Sequence, residues 1–223
     1  MLENVEKNIH QWDQKHDWSK DGDEWSGQAK VCGVPYEMWK ASLVEHLITP
    51  YVSSDSTVLE IAPGHGRWTE FLADARHLTL VDISPSCIEF CRKRFEGKTN
   101  IDYFLGTGFA LPHYADDAID FVWSYDSFVH MDREVILGYL REMKRVLKRG
   151  GRAILHHGDV DNLEGHVQSE HKGWRSAMNE QLMRELARDA GLSVVSQFTY
   201  WDEAKMIGVP RFGDKITHLV REV

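Results

Sequence analysis

The sequence predicts an α/β fold: a doubly wound, seven-stranded, mostly parallel sheet with helices on both faces and a helical N-terminal extension. Short runs of β-branched and apolar residues alternate with stretches of helical period, which is the pattern of repeated βαβ units. The length of 223 residues suits one such domain with a substantial core. We therefore expect one compact domain at residues 51–223, preceded by an extension at residues 1–50.

Seven segments have the composition of buried strands, rich in β-branched and apolar residues. They are residues 57–61, 78–81, 101–104, 119–123, 153–156, 193–199 and 216–220. The helical stretches between them are residues 67–75, 85–95, 133–147 and 179–190. Gly191 follows the last stretch and is typical of a helix C-terminus.

The extension at residues 1–50 contains four tryptophans, and its helical pattern is clearest at residues 36–48. The tryptophans are Trp12, Trp18, Trp25 and Trp39. In a doubly wound sheet, ligands bind beyond the carboxyl ends of the strands, so the extension is predicted to act as a lid over that crevice. The alternative is that the tryptophans only pack the extension onto the domain.

The charge balance argues against nucleic acid as a partner. The chain has 35 acidic and 26 basic residues, and it has no broad positive field for a phosphate backbone. Basic residues cluster at the end of one predicted helix, where cations also offset the helix dipole. They are Lys144, Arg145, Lys148, Arg149 and Arg152.

The three cysteines, Cys32, Cys87 and Cys91, are an odd set, and the last two lie one turn apart on a predicted helix. This spacing is poor for a structural disulfide. The sequence has no apolar leader and no apolar run long enough to span a membrane. We expect a cytoplasmic protein without membrane contact.

The chemistry is indicated by residues 57–72, TVLEIAPGHGRWTEFL, and by the strand that ends in Asp82. Gly64 and Gly66 permit close approach of a ligand to the backbone, and Asp82 is placed to accept hydrogen bonds from ribose hydroxyls. This pattern predicts a nucleoside-binding βαβ unit. A dinucleotide site would need a third glycine, but Trp68 and Thr69 occupy that region. A nicotinamide-dependent reductase therefore remains an alternative, although the sequence lacks the third glycine of the dinucleotide motif.

The segment VLEIAPGHG resembles the class I, Rossmann-like, S-adenosylmethionine (SAM)-dependent methyltransferases, in which a hydrophobic strand and an acidic residue precede G-x-G-x-G. Glu60 matches the acidic residue, and Ala62 replaces the first glycine. We expect the backbone at Ala62 to avoid positive φ. The resemblance covers residues 55–160, including the predicted second helix, an adenine loop and a turn before the fifth strand. It implies a final antiparallel hairpin in the sheet.

The resemblance implies SAM as the cofactor and assigns roles to individual residues. Glu60 would face the methionine ammonium, Asp82 the ribose, and Ile83 the adenine. Thr107 stands where relatives often carry aspartate, so its hydroxyl or the backbone at Gly108 would meet the adenine amino group. The carbonyl of Ser124 would accept from the ammonium. The predicted cofactor-binding residues are Glu60, Ala62, Gly64, Gly66, Asp82, Ile83, Thr107, Gly108 and Ser124.

Methyl transfer mainly requires alignment of the nucleophile with the methyl group, but a hydroxyl acceptor also needs a general base. Histidine is suited to this role at neutral pH. His157, at the end of the fifth predicted strand, and His130, after the fourth, are the candidate catalytic residues. His156 and His157 point in opposite directions on a strand, so at most one faces the ligand. For each of these histidines the alternative is a structural role, with the ring hydrogen-bonded to the backbone or a loop.

A metal site is an alternative that we do not expect, because the spacing of its possible ligands matches no recognisable zinc site. Those residues are His156, His157, Asp159, His166 and His171. In the same region, Trp174 could cover an acceptor, and Arg175 could pair with an acidic group on it.

The sequence thus predicts a SAM-dependent methyltransferase that acts on a small-molecule acceptor. The expected reaction is O-methylation of a sugar-like or secondary metabolite. N-methylation, or SAM binding without transfer, remains an alternative. The sequence does not determine the oligomeric state.

Overall fold

The computed structural model describes residues 2–18, 26–159 and 175–223. In these ranges the strands are β1 Thr57–Ile61, β2 His77–Asp82, β3 Ile101–Leu105, β4 Ile119–Ser124, β5 Leu147–His157, β6 Ser193–Phe198, β7 Tyr200–Asp202, β8 Ile207–Gly208 and β9 Lys215–Val220. The α-helices are α1 Glu3–Ile9, α2 Gly27–Cys32, α3 Tyr36–Leu43, α4 Thr69–Leu72, α5 Pro85–Arg94, α6 Arg133–Val146 and α7 Glu180–Asp189. Two helices continue as π-helical turns, α1 into His10–Lys15 and α3 into Val44–Ile48.

The main sheet has seven strands in the order β3-β2-β1-β4-β5-β9-β6. The first five of these are mutually parallel, and β9 is antiparallel to both β5 and β6. The predicted seven-stranded, mostly parallel α/β sheet is confirmed, including its N-terminal helices. The sheet reverses its winding direction between β1 and β4, which is where doubly wound folds form their ligand crevice.

Helices cover both faces of the sheet, because its central strands are apolar on each side. Helix α6 illustrates the packing. The Asp132 side chain caps it by accepting from the Val135 amide at 3.2 Å, and Ile136, Leu140 and Met143 are fully buried. The residues recur at three- and four-residue spacing, so they form one apolar stripe. Burial of each such side chain stabilises the fold by about 1.5–3 kcal/mol.

Helix α4, strand β5 and a small hairpin differ from the prediction. Strand β5 begins at Leu147 and not at residue 153. Helix α4 covers only Thr69–Leu72, because Gly66 at φ +84° still belongs to the preceding turn and the amide of Ala75 closes a three-residue turn onto Leu72. The hairpin of β7 with β8, outside the main sheet, was not predicted. These strands are too short for a periodic signal.

Candidate active site

The turn that leaves β1 has a left-handed backbone at three positions. Ala62, Gly64 and Gly66 have φ values of +57°, +57° and +84°. The expectation that Ala62 avoids positive φ is wrong. The Ala62 amide donates to the Val81 carbonyl at 2.7 Å, and the Ala62 carbonyl accepts from the Ser127 hydroxyl at 3.3 Å. These bonds hold alanine in a conformation that glycine would adopt without strain.

Asp82 ends β2 beside this turn, and its buried carboxylate is held by backbone amides. One oxygen accepts from the Ser84 amide at 2.9 Å and the other from the Gly64 amide at 3.2 Å. Burial raises the pKa of Asp82 to about 6, although these amides favour the charged form. The Ile83 amide also bonds this carboxylate. The carboxylate has about four acceptor positions, so acceptor capacity remains for ribose.

Glu60 is almost fully buried on β1, with 1% of its surface exposed. Its carboxyl accepts from the Thr69 hydroxyl at 2.5 Å. Burial raises the pKa of Glu60 to about 8, so this carboxyl is mainly neutral at pH 7 in the described arrangement. The role of Glu60 toward the methionine ammonium stays a prediction.

The predicted adenine side of the site lies at the carboxyl ends of β2 and β3. The Thr107 hydroxyl accepts from the Ala110 amide at 3.2 Å, Gly108 has φ +91°, and Ile83 is half-buried. On the other side, the buried Ser124 hydroxyl donates to the Ile61 carbonyl at 2.8 Å. These residues lie along the edge of the sheet formed by the carboxyl ends of its parallel strands. Their roles toward a cofactor stay predictions.

His157, the first candidate base, is fully buried at the end of β5. Its Nδ1 lies 2.8 Å from the Gly158 carbonyl, and its Nε2 lies 2.6 Å from the Thr217 hydroxyl. Burial lowers the pKa of His157 to about 4. Both ring nitrogens are hydrogen-bonded within the protein, which favours a structural role. Its role as a base stays a prediction.

His130, the second candidate, ends a 3₁₀ turn at Phe128–His130 and is also buried. Its carbonyl accepts from the side-chain amides of Asn4 and Asn8 at 3.2 and 3.1 Å. Its ring centroid lies 4.9 Å from that of Trp12. His130 therefore sits where the N-terminal residues meet the loop after β4, and its catalytic role also stays a prediction.

Five ionisable residues near the carboxyl ends of β1, β4 and β5 form what we term the charged chain. In spatial order they are Arg67, Asp126, His156, Asp214 and Arg175. The Arg67 guanidinium lies 2.8 Å from Asp126. His156 lies 3.2 Å from each aspartate, and Arg175 makes a two-point contact with Asp214 at 3.0 and 2.7 Å.

His156 is the centre of this chain and is fully buried. Burial acts to lower its pKa, but the two carboxylates outweigh burial and raise it. Arg175 was expected to meet an acidic group of an acceptor, whereas in the structure it pairs with Asp214. Sequence reasoning missed Arg67 and Asp214 as site residues, although each is a charged residue beside a strand end.

Residues 2–18, here called the N-terminal segment, lie over the predicted cofactor site. Asp13 accepts from the Ser84 hydroxyl at 2.7 Å and from the Ser86 hydroxyl at 2.8 Å, at the start of α5. The Trp18 indole stacks on His65 of the glycine turn, with ring centroids 4.4 Å apart. The segment thereby contacts both the glycine turn and α5.

Within the described ranges, no group of three or more His, Cys, Asp or Glu side chains is arranged to hold a metal ion. His166, His171 and Trp174 lie outside those ranges, as does Trp25 of the extension. The helices that the structure describes are too short or too polar to cross a bilayer.

The comparison that decides the family is with known methyltransferases. Residues 58–151 match the family described as "Methyltransferase domain". Over the whole chain, the fold is that of geranyl diphosphate C-methyltransferase from Streptomyces coelicolor A3(2), solved with Mg²⁺, geranyl diphosphate and S-adenosylhomocysteine. The TM-score is 0.66 at 15% identity, with 99% of each chain covered. Residues 58–151 thus match a methyltransferase domain, and the fold of the chain is that of the class I SAM-dependent methyltransferases. The predicted family, and SAM as the cofactor of that family, are confirmed.

Two curated relatives match the central part of the chain. Methyltransferase GfsG of Streptomyces halstedii is 34% identical over 110 residues, which are 47% of this chain and 38% of the relative. Sarcosine/dimethylglycine N-methyltransferase of Halorhodospira halochloris is 35% identical over 105 residues, 45% of this chain and 37% of the relative. The matched region thus spans less than half of either relative.

The residues at the crevice fit the cofactor. Asp82 retains acceptor positions beside a turn whose amide at Gly64 already binds its carboxylate. Gly64 has no side chain, and a Cβ there would lie 2.8 Å from the Trp18 ring. A larger residue at position 64 would therefore reduce the space between the turn and the N-terminal segment.

Proposed function

We propose that this protein transfers the methyl group of SAM to a small-molecule acceptor. The observation that carries the proposal is the buried Asp82 carboxylate, fixed by the amides of Gly64 and Ser84 at the carboxyl edge of the sheet. In this position the carboxylate can accept both ribose hydroxyls in a site shielded from water. The glycines of the left-handed turn beside it permit close approach of a ligand to the backbone.

When bound, SAM supplies a methyl group activated by its sulfonium, and the chain's own residues supply position. Asp82 and the turn fix the nucleoside end. Ser124 and the loop after β4 border the methionine end. Holding two reactants in line removes much of the entropic barrier, and exclusion of water prevents competing reactions.

The N-terminal segment supports a small acceptor. It contacts α5 through Asp13, the glycine turn through Trp18, and the loop after β4 through Asn4 and Asn8. An acceptor must fit beneath this segment or enter when it moves, as expected of a lid. The substrates named for the relatives above, sarcosine, dimethylglycine and geranyl diphosphate, are small molecules.

The proposed reaction is O-methylation of a hydroxyl on a sugar-like or secondary metabolite, with His130 or His157 as the base. N-methylation is the second candidate, and the hydrogen bonds at both ring nitrogens of His157 favour it. An amine with a free lone pair needs only alignment. A hydroxyl must lose a proton to a group within reach.

The test combines binding with transfer. Calorimetry should detect S-adenosylhomocysteine and give no signal with NADH, and label from methyl-labelled SAM should move to a small molecule in a cell extract. Binding without transfer to any acceptor would support a non-catalytic SAM-binding protein. Binding of NADH alone would contradict the proposal.

Once an acceptor is identified, His130→Asn and His157→Asn distinguish the two reactions. Loss of a general base should lower turnover by about a hundredfold to ten-thousandfold while S-adenosylhomocysteine affinity is retained. Wild-type turnover in both variants, with an unchanged acidic limb of the pH profile, would exclude both histidines as the base.

A further inference from the structure

Arg67 and Asp126 form an ion pair across the point where the sheet reverses its winding. Arg67 directly follows the glycine turn of β1, and Asp126 lies two residues beyond β4, the neighbouring parallel strand. The guanidinium Nη2 and the carboxylate Oδ2 are 2.8 Å apart. The pair therefore bridges the crevice in which doubly wound proteins bind their ligands.

The pair is held rigidly by its surroundings. The Arg67 guanidinium lies 4.8 Å from the ring centroid of Trp68 and 5.6 Å from that of Tyr125. The Asp126 amide donates to His156 Nδ1 at 3.1 Å. Asp126 also has φ +59°, a conformation that costs free energy in any residue except glycine and that is concentrated at functional sites.

This step rests on the proposed function. If Asp82 at the end of β2 binds the ribose, the remainder of the cofactor extends over β1 toward β4, because β1 lies between β2 and β4. That remainder ends in a zwitterion, a carboxylate and an ammonium on one carbon. We propose that Arg67 binds the carboxylate and Asp126 binds the ammonium of the methionine end of SAM.

The charge states of the nearby acids agree with this assignment. Burial raises the pKa of Glu60 to about 8, so it offers little negative charge. Burial also acts to raise the pKa of Asp126, but His156 and Arg67 outweigh burial and hold it well below its usual range. Asp126 is therefore the ionised acid beside Arg67, and 25% of its side chain is exposed.

The experiment uses four ligands that differ only at the methionine end. These are S-adenosylhomocysteine, an amine-only analogue that lacks the carboxyl group, a carboxyl-only analogue that lacks the amino group, and methylthioadenosine, which lacks both. Calorimetry with the wild-type protein should give S-adenosylhomocysteine an affinity at least about tenfold above that of methylthioadenosine. Equal wild-type affinities for these two ligands would overturn the assignment without any variant.

Two variants then test which side chain binds the carboxylate and which binds the ammonium of the ligand. Arg67→Met should weaken S-adenosylhomocysteine and the carboxyl-only analogue by about ten- to a hundredfold, and leave the amine-only analogue nearly unchanged. Asp126→Asn should show the reverse selectivity. Equal weakening of all four ligands, or no weakening of any, would overturn the assignment.

Removal of one partner leaves a buried charge and can unfold the protein. The double variant Arg67→Met/Asp126→Asn leaves neither charge. It should bind methylthioadenosine as the wild type does and no longer distinguish the four ligands. Retained discrimination in the double variant would overturn the assignment. A wild-type protein that binds none of the four would instead overturn the proposed function, and this assignment with it.

Discussion

Replacement of Ala62 by glycine should stabilise the protein. Ala62 has φ +57°, and a left-handed conformation costs an L-residue roughly 1–2 kcal/mol. Glycine would remove that strain, but it adds roughly 0.4–1 kcal/mol of unfolded-chain entropy. The expected net gain is about 0.5–1 kcal/mol in the free energy of unfolding. For a chain of this size, this corresponds to a rise in Tm of about 1–4 °C.

The assay is thermal unfolding of Ala62→Gly beside Ala41→Gly. Ala41 is exposed in the interior of α3 and has ordinary helical surroundings. Glycine there should cost about 1 kcal/mol. The two variants carry the same chemical change, so opposite signs would isolate the backbone conformation as the cause.

A fall in Tm for Ala62→Gly as large as that for Ala41→Gly would refute the strain argument. The affinity for S-adenosylhomocysteine gives a second reading. Glycine can adopt the same φ, so the turn should keep its shape and the affinity should change little. A large loss of affinity would mean that the Ala62 methyl group itself contacts the cofactor.

Three further predictions follow from individual contacts. Asp82→Ala should weaken S-adenosylhomocysteine binding by about 1.5–3 kcal/mol, because it removes charge-assisted bonds to ribose. Unchanged affinity in calorimetry would exclude that role. The control is Asp74→Ala, at an exposed aspartate. Burial lowers the pKa of His157 from 6.5 to about 4, so its stabilising contribution is full above pH 6.5 and is lost as the pH falls toward 4. The free energies of unfolding of wild type and His157→Gln, measured in urea, should therefore converge over that interval. A constant difference between the two free energies would contradict the shift. Asp13→Asn should weaken the contact of the N-terminal segment with α5 and increase cleavage of that segment by a protease. If the segment is a lid, bound S-adenosylhomocysteine should slow this cleavage. Equal cleavage rates in all samples would indicate fixed packing.

The fold could be predicted because its signals are local. Helix α6 has a regular apolar stripe and an Asp132 cap, and β1 is apolar from Val58 to Ile61 apart from Glu60. The glycine turn and Asp82 could be singled out as candidates for the same reason, since they lie within one βαβ unit. The φ of Ala62 was not, because its hydrogen bonds come from Val81 and Ser127, outside the turn.

The charged chain depends on contacts between residues that are distant in sequence. His156 approaches Asp214 because β9 is inserted antiparallel beside β5, and the spacing of these residues contains no signal for that insertion. Strand alternation predicts that at most one of His156 and His157 faces the crevice, but it does not decide which. The carboxylates around His156 and the hydrogen bonds of His157 distinguish their environments only in the folded chain.

The antiparallel insertion of β9 also affects the order in which the site is assembled during synthesis. The ribosome makes Arg67, His156 and Arg175 before Asp214, the buried carboxylate that pairs with Arg175 and lies 3.2 Å from His156. Until β9 joins the sheet, Arg175 has no Asp214 beside it, so closing the interior around this cation would be costly. The nascent chain is therefore expected to keep this edge open and hydrated until its last strand is added, and to form the charged chain late.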